Sequence, residues 1–293
     1  MSRDLAYQIM TDRMIRLLEQ GTVPWHRPWD PAVGVPRNLV SKKPYRGINI
    51  FMLGTQHYDS PWWLSFPKQL GEHGGALRKG EKLSYVVFWT RTRYETEDAE
   101  TGEARAHSGA ILRFYKVVNL LQCEGIRAPI GEEKTPRPDR SHEPIAACEA
   151  LVRNIPNPPG IRHEATQAFY APASDRIYMP RPERFDCPEA YYSTLFHELT
   201  HASGHPSRLN RPTLKDMVAF GDTHYSKEEL VAEMGAAFLC GVCEIANRTV
   251  NNSAAYISGW LERLKNDTRL LVQAAAQAQR AADALRGITD EAD

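Results

Sequence analysis

The sequence predicts an α+β protein of two domains, and three observations point that way. First, the stretch from Arg127 to Pro144, RAPIGEEKTPRPDRSHEP, is rich in proline and charge and nearly free of apolar residues, the composition of an exposed linker. Second, two β-rich segments precede it, LSYVVFWTRTRY (83–94) and AILRFYKVVNL (110–120), and read as paired strands accompanied by helices. Third, the chain beyond it holds several segments of helical periodicity. At 293 residues the length suits two domains better than one. The expected bounds are residues 1–128 for the N-terminal domain, 129–144 for the linker and 145–293 for the C-terminal domain.

An amphipathic helix over Leu5–Leu18 opens the N-terminal half, with Leu5, Ile9, Ile15 and Leu18 at helix-like spacing. A loop with Pro24, Trp25, Pro28 and Trp29 follows, then a second helix over Asn49–Gln56. The two strands are joined by ETEDAETGEARAHSG, an acidic hairpin loop. The C-terminal half begins with a helix near Pro144–Asn154. ATQAFYAPASDRIYMP then reads as a hairpin turning at Ala173–Asp175. Helices are expected over Pro188–Ala202 and Ser226–Cys243, and a long alanine-rich one over Ser253–Arg286.

Composition excludes some classes. Hydrophobic residues at 42% and charged residues at 25% are ordinary for a soluble globular protein. No apolar run approaches the roughly 18 residues of a membrane span, and MSRDLAYQIM lacks the core of a signal peptide. Five scattered cysteines carry no disulfide-framework spacing. A cytoplasmic protein without a membrane partner is expected. Cys240-Gly-Val-Cys243 has no second CxxC to complete a zinc knuckle and no βαβ context for redox work, so both cysteines are expected to be buried on a helix.

The chemistry centres on His197-Glu198-Leu199-Thr200-His201. Residues i and i+4 lie on one helical face, so both imidazoles can reach one ion at roughly 2.0–2.1 Å. Glu198 projects beside the ion, placed to take a proton from a water that the cation has acidified to about pKa 7. Catalytic zinc keeps three protein ligands and one open position, so a third ligand is required. Ser207 stands where a metzincin would need histidine. His205 follows Gly204 and precedes Pro206, which should turn it away. The helix KEELVAEMGAAFLC offers Glu229 and Glu233 at i and i+4: Glu229 is expected as the ligand and Glu233 as the carboxylate behind a ligand histidine. Glu228 should point about 100° away and be solvated. Tyr225, just before this helix, is a candidate for oxyanion stabilisation or an ordinary buried aromatic. Zinc is the expected cofactor, with manganese or cobalt accepted by the same donors.

Charge divides with the chain. Residues 1–130 hold 18 Lys and Arg against 13 Asp and Glu, a net of +5, and residues 131–293 hold 18 against 23, a net of −5. Five of the six tryptophans lie in the basic half. A positive groove with aromatic rings holds single strands without reading sequence, each stacked base contributing roughly 1–3 kcal/mol. The candidates are Trp25, Trp29, Lys42, Lys43, Tyr45, Arg46, Asn49, Arg78, Lys79, Lys82, Trp89 and Arg91. The alternative is a tryptophan-rich core beneath an ordinary basic surface.

Several long strings resemble the ArdC antirestriction family encoded by conjugative plasmids. In the N-terminal half they are the Trp25/Trp29 loop, Pro44-Tyr45-Arg46-Gly47-Ile48-Asn49, Arg78-Lys79-Gly80-Glu81 before Val86-Val87-Phe88-Trp89, and Phe114-Tyr115-Lys116-Val117-Val118-Asn119. The C-terminal half adds Leu195–His201, Gly204–Leu209 and Tyr225–Glu233. The resemblance runs along nearly the whole chain, and no motif position departs from it. It implies an N-terminal single-stranded-DNA-binding domain, a C-terminal zincin-like metallopeptidase domain, protection of incoming plasmid DNA from host restriction, and a host restriction protein as a candidate target. The N-terminal region is shared with some plasmid primases, so a DNA-shielding or primase-associated protein with a non-catalytic metal is the rival expectation.

Overall fold

Helix α1 (Arg3–Glu19) opens the computed structural model, which describes residues 3–26, 33–97, 104–126, 145–214, 227–247 and 254–288. Its buried face is Tyr7, Met10, Met14 and Leu18, whereas Leu5 is exposed and Ile9 and Ile15 lie at the flank. Of the expected stripe, Leu18 lies in the core, Ile9 and Ile15 pack partly buried against it, and Leu5 alone is exposed. Two overlapping apolar faces share this helix, and the flexible methionines fill the irregular surface it meets.

Next come β1 (Arg37–Asn38), α2 (Ile48–Gly54), β2 (Trp62–Ser65), α3 (Lys68–Glu72), β3 (Ala76–Leu77), β4 (Ser84–Glu97), β5 (Ala104–Asn119) and β6 (Cys123–Glu124). The main sheet has the order β1-β2-β5-β4, with β1 and β2 parallel and the other pairs antiparallel. The β4–β5 ladder runs from Ser84↔Val117 to Glu97↔Ala104, so much of the expected acidic loop is strand. Helix α2 is buried along its whole length. At its start, Asn49 Nδ2 donates to the Val87 carbonyl and Asn49 Oδ1 accepts from the Val87 amide, both at 2.7 Å. That side chain pairs the outer edge of β4 at this point.

The C-terminal half holds α4 (Ala146–Arg153), β7 (Gly160–Arg162), β8 (Phe169–Ala171) and β9 (Arg176–Tyr178), then α5 (Pro188–Ser203), α6 (Lys227–Val242), α7 (Ala254–Asn266) and α8 (Leu270–Leu285). Its small sheet has the order β7-β9-β8, with β8 and β9 forming the expected hairpin. Asp175 closes that turn with φ 49° and is held there by Arg208 and the Tyr170 hydroxyl. The single long helix expected over 253–286 is two helices. The Asp267 carboxylate accepts from the amides of Arg269 (2.9 Å) and Leu270 (3.2 Å), which ends one helix and starts the next. Cys240 and Cys243 are buried as expected, and burial pushes the Cys240 thiol up to about 12.

One continuous apolar core runs through both halves. Phe51 of α2 stacks on Phe238 of α6 with centroids 5.1 Å apart, and Trp25 meets Trp260 of α7 edge-on at 5.7 Å. Trp25 Nε1 donates to the Tyr256 hydroxyl at 3.2 Å, and Thr11 of α1 donates to the Thr268 carbonyl at 2.8 Å. The tryptophan expected at a DNA surface is thus a fully buried core residue. Residues 127–144, the expected linker, lie outside the described residues. Among the described residues no helix is long and apolar enough to cross a membrane.

Candidate metal centre and nucleic-acid groove

Helices α5 and α6 meet unusually closely, and this contact brings the candidate metal ligands together. A Cβ on Gly235 would stand 2.4 Å from Thr200 Cγ2, so only glycine fits opposite that threonine. Thr200 is itself fixed, because its hydroxyl donates to the Phe196 carbonyl at 2.7 Å. The approach brings Glu229, in the first turn of α6, to the two histidines on α5. His197 Nε2 and His201 Nε2 are 3.2 Å apart, and the Glu229 carboxylate lies 3.5 Å from the first and 3.3 Å from the second. Donors bound to one tetrahedral ion at roughly 2.0–2.1 Å would be separated by about 3.3 Å, so this donor set fits a divalent metal. Among the described residues this is the one group of three or more His, Cys, Asp or Glu side chains that could hold such an ion. Glu198 is buried on the same helix; burial works to lower the His197 value, but the hydrogen bond with Glu229 outweighs it and the Glu198 carboxylate adds to the rise.

Behind the centre the expectation fails. Glu228 is fully buried rather than solvated, and faces His201 Nδ1 at 3.4 Å. Arg211, on the segment after α5, wraps this carboxylate: Nε donates to Oε2 at 2.8 Å and Nη2 donates to Oε1. The Thr213 hydroxyl donates to it as well. Arg211 also reaches Ser203 Oγ and the Thr200 carbonyl. It passes over Gly204, where a Cβ would be 2.9 Å from Nη2. Burial alone would raise Glu228, but the hydrogen bonds from Arg211 and His201 outweigh it and hold the carboxyl at about 2. A charged Glu228 fixes the His201 tautomer with Nδ1–H toward the acid and the Nε2 lone pair toward the ion.

Glu233, expected in that role, points elsewhere. Its carboxylate lies 3.7 Å from His26 Nε2 and accepts from the Tyr256 hydroxyl at 3.4 Å, and it reaches His197 only through space. The reason is axial rise, not phase: residues 229 and 233 share a face of α6 but stand about 6 Å apart along it, and only the first is level with the histidines. His205 is turned away to Ser207 Oγ at 2.8 Å. Tyr225 lies outside the described residues.

The second site is a groove of about 670 Å³ between the main sheet and α8. Lys43, Tyr45, Arg46 and Trp89 line it. So do Phe88 and Tyr115, which are 46% and 42% exposed and meet edge-on at 5.7 Å. These two aromatic residues were not among the expected contacts, although Phe88 adjoins Trp89 and Tyr115 pairs with Val86 across the ladder. Tyr45 is mostly buried and packs against Phe88 as the groove's floor. The other candidates stand differently toward this groove. Asn49 touches the groove, but its amide is used on Val87. Lys42 covers the Trp62 ring at 5.0 Å instead of lining the groove. Arg78, Lys79 and Lys82 are exposed around the β3–β4 turn, away from it. Trp29 and the side chain of Arg91 lie outside the described residues.

A helix bearing His-Glu-x-x-His, met by a carboxylate from the next long helix and flanked by a small sheet, defines a zincin-like metallopeptidase domain. Residues 146–277 match the zincin-like metallopeptidase family, and residues 4–119 match the N-terminal domain of the anti-restriction factor ArdC. The chain belongs to the ArdC antirestriction family. The crystal structure of antirestriction protein ArdC from plasmid R388 in its metal-free form is 36% identical, covers 96% of this chain and 97% of that one, and superposes with a TM-score of 0.73. The Mn(II)-bound form is 34% identical with a TM-score of 0.70 over 98% and 99%. The uncharacterised protein y4eC of Sinorhizobium fredii is 33% identical over 94% of this chain and 90% of its own length. DNA primase TraC of Escherichia coli is 31% identical over 94% of this chain, which spans 26% of that longer protein.

Proposed function

We propose that this chain protects incoming plasmid DNA from host restriction, working in the cytoplasm by holding single-stranded DNA in its N-terminal half and cleaving a peptide bond in its C-terminal half. The observation that carries the reading is the convergence of His197 Nε2, His201 Nε2 and the Glu229 carboxylate to mutual spacings of 3.2–3.5 Å. These residues would hold a divalent ion, zinc in this reading, with manganese or cobalt accepted by the same donors. When bound, the ion polarises a peptide carbonyl and lowers the pKa of a water to about 7. Glu198 takes the proton from the attacking water and passes it to the leaving amine. Glu228 keeps the His201 ring in the ligating tautomer. Strand β8, at the edge of its sheet, offers an extended peptide a backbone to pair with.

The DNA half of the reading rests on the groove. Phe88, Trp89 and Tyr115 offer faces on which bases stack, and Lys43 and Arg46 stand beside them for phosphates. A host restriction protein held near that DNA is the proposed peptide substrate. The similarity to part of a DNA primase favours a second reading, in which the protein coats or hands over single strands and the metal is structural.

Plasmid transfer into a restricting host separates the two. If cleavage matters, Glu198→Ala loses protection while the purified variant keeps its metal and its single-strand affinity. Full protection by Glu198→Ala, with protection lost in Phe88→Ala/Tyr115→Ala, would leave the binding reading alone standing.

A further inference from the structure

The groove is not a property of the N-terminal half alone. Its far wall is α8 of the metallopeptidase half, which contributes Val272, Ala276 and Gln279. The loop carrying Lys43, Tyr45 and Arg46 docks on the same helix: Gly47 donates its amide to Gln279 Oε1 at 3.0 Å, and the Arg46 guanidinium forms an ion pair with Asp283. The two members of that pair are unlike. The Arg46 side chain is 55% exposed, while that of Asp283 is 7% exposed. Asp283 also accepts from Gln279 Nε2 at 3.1 Å, and Arg286 Nη1 stands 3.9 Å from it. The carboxylate is therefore compensated by its own helix even without Arg46. Arg46, by contrast, sits on the rim of an aromatic groove with its charge committed to an internal acid.

We infer that Asp283 is an internal stand-in for a DNA phosphate, an acid of the metallopeptidase half that occupies Arg46 until a single strand enters the groove and takes the arginine over. The inference rests on the groove being the DNA site. Both anions are acceptors for the same planar fork of N–H donors, so they compete for one guanidinium. The exchange is cheap on the protein side, because Gln279 and Arg286 remain at Asp283 when Arg46 leaves. The exposed guanidinium needs only a rotation of its own side chain to face solvent. The consequence is regulatory: the affinity of the basic half for DNA is set by a residue of the acidic half, and DNA binding loosens one of the ties between that loop and α8. Since α8 packs along α6, which carries Glu228 and Glu229, the tie leads toward the metal centre.

The test is the affinity of the full-length protein for a labelled oligothymidylate, followed by fluorescence anisotropy across a salt series. Asp283→Asn keeps the shape of the side chain and removes the competitor, so it should bind about threefold to tenfold more tightly than wild type. Asp283→Ser should act in the same direction if the asparagine variant does not fold. Arg46→Ala should bind more weakly and lower the log–log salt slope by about 0.7, the share of one phosphate contact. In the Arg46→Ala background, Asp283→Asn should change nothing. If wild type and Arg46→Ala bind alike, or neither binds, the groove is not the DNA site and the inference falls with that reading. If Arg46→Ala weakens binding but Asp283→Asn and Asp283→Ser leave it unchanged or weaker, the DNA site stands and the competition by Asp283 is overturned.

Discussion

Arg211 and Glu228 form an ion pair sealed from solvent directly behind His201, with the arginine 5% and the glutamate 0% exposed at the side chain. The carboxylate therefore faces a permanent cation on one side and a candidate metal ligand on the other. Arg211 has no contact with the ligand atoms, yet it governs the charge of the acid that orients one of them.

Removing one partner of such a pair leaves a buried charge without compensation. Arg211→Met should therefore destabilise the fold by about 3–5 kcal/mol, read by urea denaturation of the metal-free protein. Glu228→Gln keeps the size of the side chain but weakens its hold on His201 Nδ1, and should lower metal affinity about 10- to 100-fold in competition with a chelator. Unchanged metal affinity in a folded Glu228→Gln would remove this residue from the centre's support.

Acid should unfold the metal-free protein through the same cluster. The folded Glu228 value of about 2 lies below its ordinary 4.5, and Glu229 is also held low: burial works to raise it, but His201 and His197 outweigh that. A carboxyl depressed on folding contributes stability that is fully present above pH 4.5 and is lost as pH falls toward 2, because the unfolded chain takes up the protons first. Denaturation midpoints recorded across that window should fall steeply in wild type and less steeply in Glu228→Gln. Parallel curves would deny the carboxylate its assigned charge.

The contact between α5 and α6 makes a packing prediction. Gly235→Ala sets a methyl group 2.4 Å from Thr200 Cγ2 and 2.6 Å from its Oγ1. The helices must part, at a cost of about 1–3 kcal/mol, and Glu229 should move with α6, so metal affinity should drop together with stability. Adding Thr200→Ala to Gly235→Ala removes the two nearest atoms and should restore part of both. A variant that loses stability and keeps its metal affinity would show that the centre does not depend on this approach.

Stacking and core roles of the aromatic residues separate by measurement. Phe88→Ala and Tyr115→Ala truncate exposed rings and should each weaken single-strand binding by about 1–3 kcal/mol with little effect on thermal stability. Trp25→Phe should do the reverse, since it loses the hydrogen bond to Tyr256 inside the core.

The approach of His197, His201 and Glu229 was legible in the sequence because helical geometry alone places residues i and i+4 together, and because a carboxylate in the first turn of the next long helix is a short step away. The support behind it was not. Arg211 lies on an irregular segment whose path turns on the end of α5 at Gly204, and no periodicity reports where such a segment leads. Glu228 read as solvated because a helical wheel knows nothing of a buried arginine beyond its polar face. The groove was half legible: Lys43, Arg46 and Trp89 stand in sequence strings of basic and aromatic residues, whereas the α8 wall and the burial of Trp25 depend on contacts between residues more than 200 positions apart. The break between α7 and α8 leaves little sequence signal: it rests on Asp267, whose carboxylate accepts from the Arg269 and Leu270 amides within an otherwise continuous alanine-rich pattern.

The stacking of Phe51 on Phe238, and the meeting of Trp25 with Trp260, bear on how the molecule would survive a cut. Each half would expose a large greasy face if isolated, so separately expressed fragments should aggregate or stay unfolded. Mixed together they should find each other. A protease nick between positions 127 and 144 should leave two polypeptides that travel as one particle and melt as one, much as a split reporter is reconstituted from its pieces.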